Sequence, residues 1–105
     1  MRRYRLSRPA KADLDRIWFR IAREASIETA DRFVDTITAR FPVLATMPEA
    51  GRARGDIEPG LYSFPVEDYI VYYRKGPRGR VLISRIIHGM RNQAKAWKQE
   101  DEDAV

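Results

Sequence analysis

The sequence contains no cysteine, a single histidine and no apolar run long enough to span a bilayer. Without thiols there can be no disulfide, no thiolate metal site and no cysteine nucleophile. One histidine among scattered carboxylates offers no metal-ligand spacing, and no glycine-rich phosphate loop occurs. Neither a metal nor a cofactor is therefore expected. The opening stretch MRRYRLSRPAKADL lacks the apolar segment of a secretory leader. These absences fit a cytoplasmic protein with no membrane attachment. Lysine is scarce as well: of 20 basic side chains, sixteen are arginine.

What is present is a single domain's worth of chain. The 105 residues, 44% of them hydrophobic, suffice for one compact core and not for two. Formal net charge is +5, although the last eight residues, KQEDEDAV, set one lysine against four acids. The expected organisation is one domain over residues 1–97, followed by a disordered acidic tail at 98–105. Arginine forms bidentate contacts with carboxylates and phosphates, so its abundance suits a nucleic acid or an acidic protein partner. Codon bias in a GC-rich source would produce the same excess.

The apolar pattern changes period along the chain. Arg3–Leu6 reads as a short strand. Ser7 then fits an N-cap, and Ala10, Leu14, Ile17 and Ile21 recur at helical spacing with Trp18 beside them, which predicts a helix over Arg8–Arg23. Ser26 is a second cap, followed by a stripe of Ala30, Phe33, Val34, Ile37, Phe41 and Leu44. The link between the two is very short, so they should form an antiparallel hairpin. Pro42 should break or kink the second pattern near Ala39–Phe41. MPEAGRARGDIEPG is a loop by composition. LYSFPV, YIVYYR and RVLISRIIH read as three strands joined by turns at Glu67–Asp68 and KGPRG. The expected fold is α+β: a short N-terminal strand, then a two-helix hairpin packed on a C-terminal antiparallel three-strand meander.

The chemistry-bearing residues concentrate near SRIIHGMR, where Arg85, His88 and Arg91 crowd together. Strand alternation argues against a tight centre. If the strand is regular, Leu82, Ser84, Ile86 and His88 share one face while Val81, Ile83, Arg85 and Ile87 share the other. His88 can hydrogen-bond at the strand end, transfer a proton or touch a partner. Arg52 and Arg54 are either solvated loop charges or anchors for an anion. Trp97 either docks through a short terminal helix or anchors a partner.

In order and spacing, LSRPAKADLDRIW, FPVLATMPEAGRARGDIEPGLYSFPV, YIVYYR and ISRIIHGMR resemble the ParE branch of the RelE/ParE superfamily of toxin–antitoxin toxins. The resemblance covers residues 4 to 92. It implies a RelE/ParE-like fold and a toxin neutralised by a cognate, ParD-like antitoxin. ParE-like toxins typically poison DNA gyrase, whereas RelE-like relatives cut mRNA on the ribosome. On the nuclease alternative, Arg85, His88 and Arg91 would be catalytic. Tyr62 stands where ParE-like sequences usually carry arginine, a departure from the gyrase-poisoning pattern. RelE-like enzymes also tend to use a basic residue on this strand, so its absence weakens the nuclease alternative as well. Arg52, Arg54, Tyr62, Arg91 and Trp97 are the candidate target contacts. A groove beside the helix hairpin should receive an acidic antitoxin segment, with Leu14, Ile17, Trp18 and Phe33 as its candidate lining.

Overall fold

The computed structural model describes residues 3–98. The chain runs β1 (Tyr4–Leu6), α1 (Arg8–Glu24), α2 (Ile27–Thr38), α3 (Phe41–Thr46), β2 (Arg52–Ala53), β3 (Leu61–Val66), β4 (Tyr69–Lys75), β5 (Val81–His88) and α4 (Gln93–Lys98). Five strands form one sheet in the order β1-β5-β4-β3-β2. The α+β reading holds, and β3–β5 are the expected antiparallel meander. Two features are additional. β1 joins the sheet parallel to β5, and Arg52–Ala53 adds a two-residue edge strand inside the segment read as loop.

Local sequence explains the helix boundaries. The Ser7 hydroxyl accepts from the Ala10 amide at 3.1 Å and Pro9 lies in the first turn, where a missing amide costs nothing. The same hydroxyl donates to the Ser84 carbonyl at 2.8 Å, tying the start of α1 to β5. Ser26 caps α2 through the Thr29 amide at 3.0 Å. The expected break occurs at Ala39–Arg40, and Pro42 falls in the first turn of the separate helix α3. Proline tolerates that position because the first-turn amides have no partner inside the helix.

The helices α1–α3 cover one face of the sheet. Ile17, Ile37, Phe41, Leu44, Tyr69, Val71, Tyr73, Val81, Ile83 and Ile86 make this core. A smaller apolar cluster on the other face joins Leu61, Tyr72 and Ile87 to Ala96 of α4, with Trp97 packed against it. The tail expected at 98–105 falls outside the described residues, except Lys98, which ends α4.

A bulge corrects the expected strand faces. Tyr72 pairs with Arg85 and Tyr73 with Ile83, so Ser84 is an extra residue in β5. Val81 and Ile83 therefore share the helix-covered face with Ile86, not with Arg85 and Ile87. Alternation resumes beyond the bulge, and Arg85 and His88 still project to opposite faces. β1 ends at Leu6, which leaves the outer edge of β5 beyond Ile83 without a strand partner. Asp13 of α1 fills that gap: its carboxylate accepts from the Ile86 amide at 2.8 Å.

Burial raises the phenol pKa of Tyr72 and of Tyr73 above the ordinary value of 10.0. A group whose folded pKa is raised stabilises fully below its unfolded pKa, and that contribution is lost as pH rises through the folded one. Thermal stability should therefore fall from about pH 10 upward. Tyr72→Phe should flatten that alkaline slope in melting curves, and an unchanged slope would exclude Tyr72 as a cause.

Candidate functional site

Helix α1 carries two stripes. Ala10, Leu14, Ile17 and Ile21 turn toward the core. Arg16, Phe19, Arg20 and Arg23 recur at i, i+3, i+4 and i+7 and form a second stripe that faces outward. This stripe lines one wall of a cleft of about 450 Å³, whose other wall includes Tyr69, Ile86, His88 and Arg91. Phe19 is 62% exposed, a large apolar side chain left in water among arginines. Trp18 meets it edge-on at 5.1 Å.

The cationic wall is ordered by its own contacts. Arg20 donates to the Tyr69 hydroxyl at 2.5 Å and pairs with Glu24 at 3.3 Å. The Tyr69 bond is the main reason that the Arg20 guanidinium titrates above its usual value. Arg16 pairs with Asp13 at 2.7 Å while its side chain stays half exposed. These pairs are partly solvated and contribute little stability; their effect is to hold the positive groups along the rim. Such a rim, with an aromatic in the middle, can recognise an acidic segment that also brings an apolar side chain.

The residues proposed from sequence fall in different places. Arg85 is 1% exposed and bonds Asp13 through Nε at 2.7 Å and Nη2 at 2.9 Å. Its Nη1 lies 3.4 Å from the Ala96 carbonyl of α4. It is a buried structural cation joining α1, β5 and α4. His88 ends β5 on the other face, with its ring edge-on to Tyr69 at 5.0 Å and Nδ1 accepting from the Met90 amide at 3.0 Å. Arg91 is exposed beside the cleft. The structure brings His88 and Arg91 to one cleft and leaves the Arg85 guanidinium buried away from it.

Of the expected groove residues, Ile17 is a core side chain, 5% exposed, that only edges the cleft. Leu14 and Phe33 are half-buried against the same core, and Phe33 meets Tyr69 edge-on at 5.8 Å. Trp18 donates from Nε1 to Asp31 of α2 at 2.7 Å, so it bridges the helix hairpin. The exposed members of this region are Asp15, Phe19 and the arginines. Their spacing was visible in the sequence as a stripe outside the core stripe. Asp13 carried no such signal, because its buried partners, Arg85 and the Ile86 amide, are 72 and 73 residues away.

The remaining candidates surround α4 or the β3–β4 face. Arg54 forms two 3.0 Å bonds to Asp56, the main cause of its raised pKa, and lies 6.0 Å over the Tyr72 ring. Arg52 is exposed in β2. Tyr62 stacks on Tyr73 at 5.6 Å, with the Lys75 ammonium 5.2 Å over its ring. Trp97 packs on Tyr72 at 5.6 Å, which makes it a docked side chain and not a projecting anchor. The Tyr72 hydroxyl donates to Gln93 Oε1 at 2.7 Å, which ties α4 to that face of the sheet. Among the described residues, no three His, Cys, Asp or Glu side chains gather as a metal site.

Residues 4–93 match the family model described as the ParE toxin of the type II toxin–antitoxin system parDE. Toxin ParE3 of Caulobacter vibrioides is 34% identical over 84% of this chain and 87% of its own length. Toxin ParE1 of the same organism is 34% identical over 88% of this chain and 94% of its own. A solved structure described as a chromosomal ParDE toxin–antitoxin system from P. aeruginosa superposes with a TM-score of 0.71. It shares 24% identity over 84% of this chain and 96% of that one, a likeness of fold. This chain belongs to the ParE toxin family of type II toxin–antitoxin systems.

Proposed function

We propose that this protein acts by binding: it inhibits DNA gyrase in the cytoplasm, blocks replication, and is neutralised by direct contact with a cognate ParD-like antitoxin. The observation that carries the choice of binding over RNA cleavage is the separation of Arg85 from His88. Cleavage of RNA needs a base, an acid and a stabiliser of the phosphorane to converge on one phosphodiester. Here Arg85 is committed to Asp13 inside the protein, and His88 looks into the cleft from the opposite face. Membership of the ParE family supports the toxin assignment and, through the usual target of ParE-like toxins, gyrase.

The α1 cleft supports the antitoxin half of the reading. Its Arg16, Phe19, Arg20 and Arg23 stripe matches a disordered acidic segment that orders on binding and inserts an apolar side chain. Reversing Arg16, Arg20 and Arg23 to glutamate should weaken antitoxin binding about 100-fold, largely through slower association at low salt. Calorimetry and stopped-flow mixing would measure both. Unchanged affinity would move the antitoxin elsewhere on the molecule.

The functional test adds purified protein to gyrase supercoiling and cleavage assays, with and without antitoxin. Loss of supercoiling, reversed by antitoxin, is the expected result. Intact gyrase activity together with mRNA fragments in a translation extract would replace this reading by an endoribonuclease. Normal growth after induction in cells would instead indicate a homologue that binds antitoxin without toxicity.

A further inference from the structure

The start of β1, the end of β4 and the start of β5 meet at the end of the sheet remote from the α1 cleft. Arg5 pairs with Leu82, the Val81 amide donates to the Arg3 carbonyl at 2.9 Å, and the Gly76 amide donates to the Arg80 carbonyl at 2.6 Å. The hairpin loop between β4 and β5 adds Arg78. Four arginines, 3, 5, 78 and 80, are thus exposed on one tip. Arg5 and Arg80 line a cleft of about 150 Å³ with Gly76, Pro77, Val81 and Leu82, and among the described residues no acid lines it. Lys75 also ends here, paired with Glu49 at 3.1 Å.

Two further observations define what the tip could hold. Arg78 has a φ of 61°, a left-handed conformation that glycine or asparagine adopts with less strain, and it stands just before Gly79 at φ 72°. A side chain is therefore kept at a turn position where the backbone alone would favour having none. The tip also lacks an apolar anchor. Among the described residues the exposed large apolar side chains are Phe19, Ile27, Met47 and Met90. Met47 shares a separate cleft with Lys75 and Glu49, and none of the four lines the arginine cleft. Specific protein interfaces centre on buried apolar or aromatic anchors, whereas a polyanion is held by charge and bidentate hydrogen bonds alone.

We propose that this tip binds the phosphodiester backbone of duplex DNA without reading its sequence. Arginine forks fit phosphate oxygens, and such contacts position a protein on a duplex while carrying no base information. The tip and the α1 cleft lie at opposite ends of β5, roughly 23 Å apart at about 3.3 Å per residue. DNA at the tip and a protein in the cleft can therefore be bound at once. The inference does not depend on gyrase being the target.

The test is fluorescence anisotropy of a labelled random-sequence duplex titrated with the full chain between about 50 and 200 mM salt. Each phosphate contact contributes about 0.9 to the log–log salt slope, so Arg5→Ala/Arg78→Ala/Arg80→Ala should lower the slope by about 2 to 3. Over that salt range the wild type should then lose about 40-fold more affinity than the variant. Arg16→Ala/Arg20→Ala/Arg23→Ala removes the same charge from the cleft and should keep the wild-type slope. Circular dichroism confirms that each variant is folded, and Arg78→Gly tests one contact with the turn relaxed; it should lower the slope by about 1. Equal losses in both triple variants would mean diffuse charge attraction and overturn the proposal. So would a wild-type slope retained by the tip variant, or polyglutamate competing as well as DNA.

Discussion

Asp13→Ala will cost the fold about 3–5 kcal/mol, the range for removing one partner of a buried ion pair. Asp13 is 4% exposed and its carboxylate receives Arg85 Nε, Arg85 Nη2 and the Ile86 amide, at 2.7, 2.9 and 2.8 Å. Its loss leaves a buried guanidinium without its carboxylate and opens the outer edge of β5. A domain of this size has only about 5–15 kcal/mol to lose, so the variant should be largely unfolded in moderate urea. Asp13→Asn keeps an acceptor oxygen and should lose less. The double change Asp13→Leu/Arg85→Met removes both charges together and should recover most of the stability. Urea denaturation of the three variants measures this order. A cost below about 1 kcal/mol for Asp13→Ala would show that the pair does not hold α1 to the sheet.

The same result would separate structure from chemistry at Arg85. If Arg85 were catalytic, the double variant would be folded and inactive. If the pair is structural, as its burial indicates, the double variant should fold and match the wild type in the gyrase and antitoxin-binding assays.

Gly51→Ala is the second change expected to have a large effect, about 2–4 kcal/mol from overpacking plus lost hydrogen bonds. A methyl group there would collide with the Tyr73 hydroxyl and lie 2.7 Å from the Ser63 carbonyl oxygen. The hydroxyl cannot move freely. It donates to the Pro48 carbonyl and accepts from the Gly51 amide, both at 2.8 Å, in the core beneath the loop. This phenol pins the segment that leads into β2 and so sets where Arg52 and Arg54 emerge. Tyr73→Phe relieves no clash but frees the loop, and should cost about 1–3 kcal/mol by leaving two backbone groups without that partner. Thermal melts should rank Gly51→Ala below Tyr73→Phe. A Gly51→Ala protein as stable as wild type would mean that the loop can shift without loss.

Much of the fold was legible because its signals are local. The caps Ser7 and Ser26, the apolar stripe of α1 and the alternation in β3 and β4 each act within a few residues, so propensity and periodicity report them directly. Pro42 marked the break between α2 and α3 for the same reason: a missing amide is a property of one residue. The second stripe of α1 was equally local, and it could have been found by asking why Phe19 lies outside the core spacing.

Sequence by itself determined the element types, most of their boundaries, the absence of thiol chemistry, and, through the order of its segments, the likeness to the ParE branch. Only the tertiary structure decided what the individual residues do. The bulge at Ser84 reassigned the faces of β5, because one extra residue inverts side-chain alternation and nothing in RVLISRIIH announces it. Burial turned Arg85 from a catalytic candidate into half of an ion pair with a carboxylate 72 residues away. Docking of α4 turned Trp97 from a possible anchor into packing on Tyr72. The four arginines of the tip come from the N-terminus and from a loop some 70 residues later, and only the parallel pairing of β1 with β5 makes them neighbours. Such contacts depend on which distant segments share a layer, and in one sequence that information is spread over the whole packing.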